Sequence, residues 1–193
     1  MMDICVFCGA RDGGRPDYMK AARAMGHAIA RSGGRLVYGG GHVGMMGAVA
    51  DATLELGGEV VGVMPHALIE AEIAHRGLTE LVEVDSMHAR KEKMAALSDG
   101  FVALPGGMGT FEEIFEQITW AQLGIHRKPC GFLNVAGYFD AATTLIDHAV
   151  AEGFVNAEYR AMLTFAETPE ALLEAFDAYA PPRSKWSAEP VTP

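Results

Sequence analysis

The residues best suited to chemistry in this 193-residue chain lie in one glycine-rich stretch, Leu-Pro-Gly-Gly-Met-Gly-Thr-Phe-Glu-Glu, at residues 104–113. An apolar run precedes it and apolar residues at helical spacing follow it, so the glycines lie where a buried strand turns into a helix. The free N–H groups and the dipole at a helix N-terminus favour an anion. Thr110 can add a hydroxyl, and Glu113 lies one turn deeper near the same face. The stretch predicts a phosphate cradle beside a carboxylate.

Glu112 and Glu113 follow the glycines directly. Acidic residues in the first turn of a helix complement the helix dipole, which is the simplest explanation of either carboxylate taken alone. A phosphate in the loop would repel both side chains, however, so two acids beside an anion site indicate a second purpose. That purpose would be chemistry at a group next to the phosphate.

A second candidate motif, Met-His-Ala-Arg-Lys, occupies residues 87–91. Arg90 and Lys91 fall in the first turns of a predicted helix, where the helix dipole disfavours cations. An anion site would explain this placement, because Arg can fork two hydrogen bonds onto a phosphate or carboxylate and Lys adds a point charge. The alternative is a solvated basic helix face, which is common. The spacing favours the binding interpretation.

Short apolar runs alternate with segments of helical periodicity along the chain, which is typical of an open, mostly parallel α/β sheet. We predict a doubly wound, Rossmann-like sheet with helices on both faces in one domain over residues 1–180, followed by a flexible Pro-rich tail over residues 181–193. The predicted strands cover residues 4–9, 35–38, 60–64, 80–84, 100–104, 130–133 and, weakly, 162–165. The predicted helices cover residues 16–31, 44–56, 68–73, 87–98, 111–124, 138–152 and 169–179. Ligands bind such sheets beyond the carboxyl ends of the strands.

Another glycine-rich loop, Gly-x-Gly-x-x-Gly at residues 39–44, fits the dinucleotide-binding fingerprint. That fingerprint requires an acidic residue at the end of the next strand, and here the strand ends in Met64 and Pro65. We therefore favour a loop that lets backbone segments pack closely, or one that holds part of a smaller nucleotide. Both glycine-rich loops lie at carboxyl ends of strands and are expected to face one cleft.

Cys5 and Cys8 invite a redox or zinc interpretation, but residues three apart in a strand point to opposite faces. Cys130 stands alone in the sequence, so no second pair accompanies them. Buried structural cysteines are therefore favoured. The seven histidines show no metal-ligand spacing. We expect neither a metal ion nor a redox cofactor.

The net charge of −10 argues against nucleic acid or an anionic membrane as the partner. It also means that an anionic ligand needs a local basic patch. No apolar run approaches the roughly 20 residues of a membrane span, and the start of the chain lacks the basic region of a signal peptide. Three cysteines form no disulfide framework. We expect a soluble, cytoplasmic protein.

Two signatures together, Pro-Gly-Gly-x-Gly-Thr-x-x-Glu at residues 105–113 and Met-His-x-Arg-Lys at residues 87–91, resemble those of the Lonely Guy proteins. These are cytokinin riboside 5′-monophosphate phosphoribohydrolases, and the similarity extends in order over residues 4–163. The resemblance implies hydrolysis of the N-glycosidic bond of an adenine-type nucleoside monophosphate, which releases the free base and ribose 5-phosphate. It also implies a Rossmann-like fold, a homodimer with sites near the interface, and no metal or redox cofactor.

Carried onto matching positions, the resemblance implies that Arg90 and Glu113 form the catalytic pair. The positions expected to line the nucleotide are Glu72, Lys91, Gly106, Gly107, Met108, Gly109, Thr110, Phe111, Glu112 and Thr119. Glu113 would stabilise the positive charge that builds on the sugar ring and would orient or deprotonate the attacking water. Arg90 would hold the ribose–phosphate end and keep the carboxylate ionised. One departure is Ala-Arg-Asp at residues 10–12, where relatives usually have serines.

Two alternatives stay open. One is a general AMP nucleosidase, which would have no role for an N6 substituent on adenine. The other is a regulator or carrier that binds AMP-like ligands without turnover. Intact Arg90 and Glu113 argue against the carrier, because binding alone does not need both. Related sequences have often carried a lysine decarboxylase label, but the residues give no support for a pyridoxal-phosphate lysine.

Overall fold

The computed structural model describes residues 1–70 and 74–182 of the chain. Within these ranges, seven strands form one sheet in which every neighbouring pair is parallel. The strands are β1 (Ile4–Phe7), β2 (Leu36–Tyr38), β3 (Val60–Pro65), β4 (Glu80–Val84), β5 (Gly100–Ala103), β6 (Cys130–Leu133) and β7 (Leu163–Ala166). The helices are α1 (Pro16–Ser32), α2 (Gly44–Glu55), α3 (His66–Glu70), α4 (Met87–Leu97), α5 (Met108–Leu123), α6 (Asp140–Ala151), α7 (Ala157–Ala161) and α8 (Pro169–Asp177). No helix in the two ranges is both long and apolar enough to pass through a bilayer.

The strand order β4–β3–β2–β1–β5–β6–β7 places β1 and β5 near the centre of the sheet. The chain winds outward from β1 to β4 in one direction and from β5 to β7 in the other, so its direction reverses between β1 and β5. Val6 of β1 aligns with Tyr38 of β2 and Val102 of β5. Ligands bind doubly wound sheets at this switch point, beyond the carboxyl ends of the strands. The arrangement confirms the predicted α/β class.

Each face of the sheet has its own hydrophobic core, which is why the central strands read as continuous apolar runs. On one face, Met94 of α4, Ile114 of α5 and Ile146 of α6 are buried in one cluster. On the other face, Met25 of α1 and Met45 of α2 belong to a second cluster. Helices α4 and α5 therefore share a face, and α1 and α2 lie across the sheet from them.

The three cysteines are free and buried, as the sequence predicts. Cys5 belongs to the core beside α4 and α5, whereas Cys8 belongs to the core beside α1 and α2. Burial raises the pKa of both thiols, so neither has the thiolate character of a reactive cysteine. Within residues 1–70 and 74–182, no group of three or more His, Cys, Asp or Glu side chains is placed to hold a metal ion.

The helix that follows the central glycine loop, α5, begins at Met108 rather than at residue 111 because Gly107 is its N-cap. The short helix predicted over residues 68–73 corresponds to α3, which ends at Glu70. Residues 71–73 and 183–193 lie outside the described part of the chain, so the prediction of a flexible tail falls almost entirely beyond it.

Between β6 and α6 the chain forms a short 3₁₀ helix, Val135–Gly137, and then a turn at residues 138–139, where the sequence predicts the start of a helix. The side-chain oxygen of Asn134 accepts the N–H of Phe139 at 2.7 Å, and the Asn134 amide donates to Asp140 at 2.7 Å. Ala136, within the 3₁₀ segment, has a left-handed φ of 50°. These contacts delay the start of α6 to Asp140 and leave Tyr138 in the turn. Helix α7 has no counterpart in the sequence prediction.

Candidate active site

The first turns of α4 carry Arg90 toward the sheet. Helix α4 begins after Ser86, whose hydroxyl accepts the N–H of Ala89 at 3.1 Å as an N-cap. The side chains of Arg90 and Lys91 are only 12% and 10% exposed. The interpretation of these two residues as a solvated basic helix face is therefore wrong.

The Arg90 guanidinium is held in place by backbone oxygens of two neighbouring strand ends. Its Nε donates to the carbonyl of Val63 at 3.1 Å, and Nη2 donates to the carbonyl of Gly39 at 3.3 Å. A Cβ on Gly39 would lie 1.9 Å from Nη2, so the absence of a side chain at this position makes room for the guanidinium. A Cβ on Gly44 would lie 2.4 Å from the backbone of Ala10. The Gly44 contact is the close backbone approach that the sequence predicts for residues 39–44, whereas the Gly39 contact is with the side chain of Arg90.

Arg90 faces Glu113 across the gap between α4 and α5. Nη1 of Arg90 lies 3.8 Å from Oε1 of Glu113, and the Glu113 side chain is 13% exposed. Burial raises the pKa of Glu113 to about 6, and the charge of Arg90 opposes this effect only in part. The expectation that Arg90 keeps the carboxylate ionised thus holds only above about this pH. A carboxyl that titrates near neutrality is suited to accept a proton from water.

The glycine loop between β5 and α5 presents open backbone. A Cβ on Gly107 or Gly109 would meet no atom within 4 Å, and Met108 is 82% exposed. Gly106, by contrast, is packed tightly, because a Cβ there would lie 2.1 Å from Oγ1 of the buried Thr110. The loop is therefore anchored at its first glycine and free above the N-terminus of α5, which is the setting of an anion site.

Tyr138 is a part of the site that the sequence does not reveal. Its hydroxyl donates to the carbonyl of Gly106. Its ring stacks on Phe111 with centroids 6.5 Å apart and meets the edge of Tyr18 at 5.6 Å. Tyr138 thus ties the glycine loop to α1 and α5. No local pattern could have indicated this contact, because 32 residues separate the two partners.

A cavity of about 780 Å³ opens beside the glycine loop at the switch point. Its walls are the loop between β1 and α1, including Arg11 and Arg15, together with residues 105–107 and the rings of Tyr18 and Tyr138. The cavity lies toward α1 and α2, whereas the Arg90–Glu113 pair reaches in from α4 and α5. Residues 105–107 of the glycine loop line the cavity, whereas Arg90 and Glu113 do not. The β1–α1 loop, where the sequence departs from the usual serines, therefore lines this cavity.

Lys91 lies next to Arg90 on α4 but has different partners. Its ammonium donates to Glu116 at 2.9 Å and also to Glu112. Burial opposes the charged form of Lys91, but the hydrogen bonds to the two carboxylates raise its pKa. The structure thus brings Lys91 and Glu112 together as an ion pair that joins α4 to α5.

The remaining expected positions are placed in three different ways. Phe111 packs against aromatic rings of the β6–α6 segment. Thr119 is exposed, about 9 Å along the helix axis from Glu113, and its hydroxyl donates to the carbonyl of Phe115 at 2.7 Å. Glu72 lies outside the described residues.

Comparison with known proteins gives consistent matches over most of the sequence. A family model described as "Possible lysine decarboxylase" matches residues 46–176. A protein of Oryza sativa subsp. japonica named "Probable cytokinin riboside 5′-monophosphate phosphoribohydrolase" is 46% identical over 189 residues, which cover 95% of this chain and 85% of that protein. A cytokinin riboside 5′-monophosphate phosphoribohydrolase of Arabidopsis thaliana is 45% identical over 178 residues, which cover 92% of this chain and 84% of that protein.

The fold is shared with a solved structure. A molybdenum cofactor binding protein from Rippkaea orientalis superposes with a TM-score of 0.69 at 20% identity, covering 92% of this chain and 97% of that chain. At this identity the likeness shows the fold alone. The plant relatives, by contrast, are far more similar in sequence and cover more than nine tenths of the chain. The chain therefore belongs to the Lonely Guy family of cytokinin riboside 5′-monophosphate phosphoribohydrolases.

Proposed function

We propose that this protein hydrolyses the N-glycosidic bond of N6-substituted adenosine 5′-monophosphates, the cytokinin nucleotides, and releases the free base and ribose 5-phosphate. The observation that carries this proposal is the largely buried Arg90–Glu113 pair, 3.8 Å apart, beside a glycine loop with open backbone. The names of the plant relatives supply the substrate class. The ligand is a small nucleotide, and neither nucleic acid nor a membrane is needed as a partner.

Glu113 is assigned the central chemical role. Breaking the bond between the base and the sugar builds positive charge on the ribose ring, as in other glycoside hydrolyses. A carboxylate beside the anomeric carbon stabilises that charge and accepts a proton from the attacking water. Since the pKa of Glu113 is raised to about 6, the group is ionised at neutral pH and remains a competent base. Water thus contributes its hydroxyl to the sugar, and the departing base takes up one proton, so that transfer of the Glu113 proton to the base through solvent restores the carboxylate.

Arg90 and the glycine loop are assigned the task of holding the phosphorylated ribose. Two backbone oxygens hold the guanidinium in place before the substrate arrives, so the Arg90 side chain loses little conformational entropy when the substrate binds. The open backbone of Gly107 and Gly109 leaves room for the 5′-phosphate at the N-terminus of α5. Binding energy from the phosphate is then available to orient the reacting bond against Glu113.

The test is direct measurement of base release. The pure protein, stripped of metal, is incubated with N6-isopentenyl-AMP and with AMP, and free base is quantified by chromatography. A clearly higher kcat/KM on the prenylated substrate is expected. Equal rates would instead indicate a general AMP nucleosidase, and tight binding of both nucleotides without release would indicate a nucleotide-binding regulator.

The role of Glu113 is tested in the same assay. Glu113→Gln should lower kcat by about 10²–10⁴-fold, the usual contribution of a general base. Glu174→Gln removes an exposed carboxylate from α8 and serves as the matched control, which should retain wild-type activity. Near wild-type turnover by Glu113→Gln would rule out this assignment.

The assembly and location of the enzyme are also part of the proposal. We propose a cytoplasmic homodimer whose catalytic domain comprises residues 1–180, with residues 181–193 as a tail. Large apolar side chains at the surface support an interface, since Ile125 is 63% and Phe154 is 87% exposed. Sedimentation velocity should give twice the mass of one chain, and a single-chain mass at micromolar concentration would contradict the dimer.

A further inference from the structure

Two contacts run side by side across the gap between α4 and α5. Arg90 faces Glu113, and its neighbour Lys91 pairs with Glu112 and Glu116. The Lys91 side chain is 10% exposed, and its Nζ lies 2.9 Å from Oε1 of Glu116. The Lys91–Glu116 contact is therefore closer than the Arg90–Glu113 contact and is largely shielded from water, whereas the Glu112 side chain is 56% exposed. It connects the same two helices that carry the proposed catalytic pair.

The spacing of the two acids determines what this contact controls. Glu112 and Glu116 are one helical turn apart and lie on the same side of α5. One ammonium that binds both of them resists rotation of α5 about its axis and sliding of α5 along α4. Glu113 is the residue next to Glu112, so its direction follows from the same rotation. The Lys91 contact thus sets where the Glu113 carboxylate points.

Lys91, Glu112 and Glu116 form one charged cluster. Its net charge argues against direct binding of the nucleotide phosphate by Lys91. One ammonium and two carboxylates leave the cluster net negative, so it offers no attraction for a phosphate. Oε2 of Glu116 is buried and has no hydrogen-bond partner within the described part of the chain. Lys91 is therefore the charge that compensates this carboxylate, whose side chain is 24% exposed. If the ammonium turned to a ligand, it would leave a largely buried charge unpaired.

We infer that Lys91 is a positioning residue, which holds Glu112 and Glu116 against α4 and so fixes the geometry of the Arg90–Glu113 pair. The resemblance to the family implied a substrate contact at this position; the contacts of the side chain assign it a different role. This inference rests on the proposed function, because it concerns the alignment of the proposed catalytic pair. It is supported by the charges around Glu113, where Lys91 lowers the pKa of the carboxyl and Glu112 and Glu116 raise it.

The experiment compares Lys91→Met with the double variant Lys91→Met/Glu116→Gln and with Glu116→Gln alone. Two readouts are taken: kcat and KM for N6-isopentenyl-AMP, and titration of Glu113 by NMR with ¹³C-labelled glutamate carboxyls. The Glu113 resonance is identified by its loss in Glu113→Gln. We expect Lys91→Met to lower kcat by about 10–10²-fold through misalignment, to leave KM nearly unchanged, and to raise the pKa of Glu113. Glu116→Gln should reverse part of that pKa rise in the double variant.

A different pattern would overturn the inference. If Lys91→Met raises KM at least tenfold while kcat and the Glu113 titration stay as in wild type, Lys91 contacts the nucleotide. If Lys91→Met does not fold, Lys91→Arg decides, because a guanidinium can pair with both carboxylates. Lys91→Arg should keep kcat and the Glu113 titration close to wild type, and a rise in KM alone would contradict the positioning role. Absence of base release by wild-type protein would refute the proposed function, whereas the NMR titration would still decide the role of Lys91.

Discussion

Replacing Gly39 with alanine tests whether the gap beside the second glycine loop exists to seat Arg90. A Cβ on Gly39 would lie 1.9 Å from Nη2 and 3.1 Å from Cζ of Arg90. Gly39 is not among the residues with a positive φ, so the backbone there is compatible with alanine. The effect of the substitution should therefore come from collision with the guanidinium. That collision displaces Arg90 from the carbonyl of Gly39 and from Glu113.

The size of the effect follows from the overlap. Non-bonded heavy atoms approach to about 3.5 Å, so the guanidinium must retreat by about 1.5 Å. Misplacement of about 1 Å at a reacting centre can cost 10²-fold in rate, and we expect kcat/KM to fall by about 10²-fold. The displaced group is the end of a flexible side chain, so the loss of stability should be about 1–2 kcal/mol. For a chain of this length that loss lowers Tm by roughly 2–8 °C.

The assay combines base release with calorimetry, and the control uses the same substitution without its collision partner. In the Arg90→Ala background, Gly39→Ala should change neither the residual activity nor Tm, because the guanidinium is gone. Such non-additivity is the signature of two groups in contact. The reasoning is refuted if Gly39→Ala retains wild-type kcat/KM. It is also refuted if Gly39→Ala lowers Tm as much without Arg90 as with it.

Three further outcomes follow from the site. In a pH–rate profile, kcat/KM should fall on the acid side with a midpoint near pH 6, because burial raises the pKa of Glu113 to about 6. A profile without this fall would contradict the role of that carboxylate as base. Because the folded pKa of about 6 exceeds the ordinary 4.5, ionised Glu113 costs the folded state up to about 2 kcal/mol above pH 6 and nothing below pH 4.5. Denaturant unfolding should therefore show Glu113→Gln gaining about that much relative to wild type between pH 4 and pH 8; an equal difference at both pH values would contradict the raised pKa. Tyr138→Phe keeps the ring but loses the hydrogen bond to Gly106. It should raise KM severalfold in steady-state kinetics and lower the free energy of unfolding by about 1 kcal/mol in calorimetry. An unchanged KM would mean that the loop does not need this anchor.

Local signals explain why the glycine loop could be placed from the sequence. An apolar run, Pro105, three glycines and a helical period follow one another without interruption, and the start of α5 differs from its predicted position by three residues. Tyr138 could not be placed in the same way. The sequence around it reads as helix, and its role depends on a turn closed by Asn134 and on a hydrogen bond to the distant Gly106.

The electrostatic state of the site is a second property that residue types alone do not determine. Sequence reasoning predicts that Arg90 keeps Glu113 ionised, since an adjacent cation lowers the pKa of a carboxyl. The structure shows burial to be the larger effect, with Arg90 3.8 Å away and not in hydrogen-bonding contact. How deeply Glu113 is buried depends on the packing of α5 against the sheet. The sign of the shift could be known only once that packing was known.

Arg90 and Lys91 show how far residue type and spacing can be taken. Both are basic neighbours on one helix, and the sequence indicates anionic partners for both without dividing the acids between them. Consecutive residues of a helix point about 100° apart, so the two side chains meet different parts of α5. Glu113 meets Arg90, and the other two acids of α5 meet Lys91. Met94 and Ile114 bury the two helices in one core, and the Lys91 contact is proposed to fix the rotation of α5 within that packing. Two adjacent residues of the same charge can therefore have different roles: Arg90 is proposed to bind the substrate, and Lys91 to align the helices.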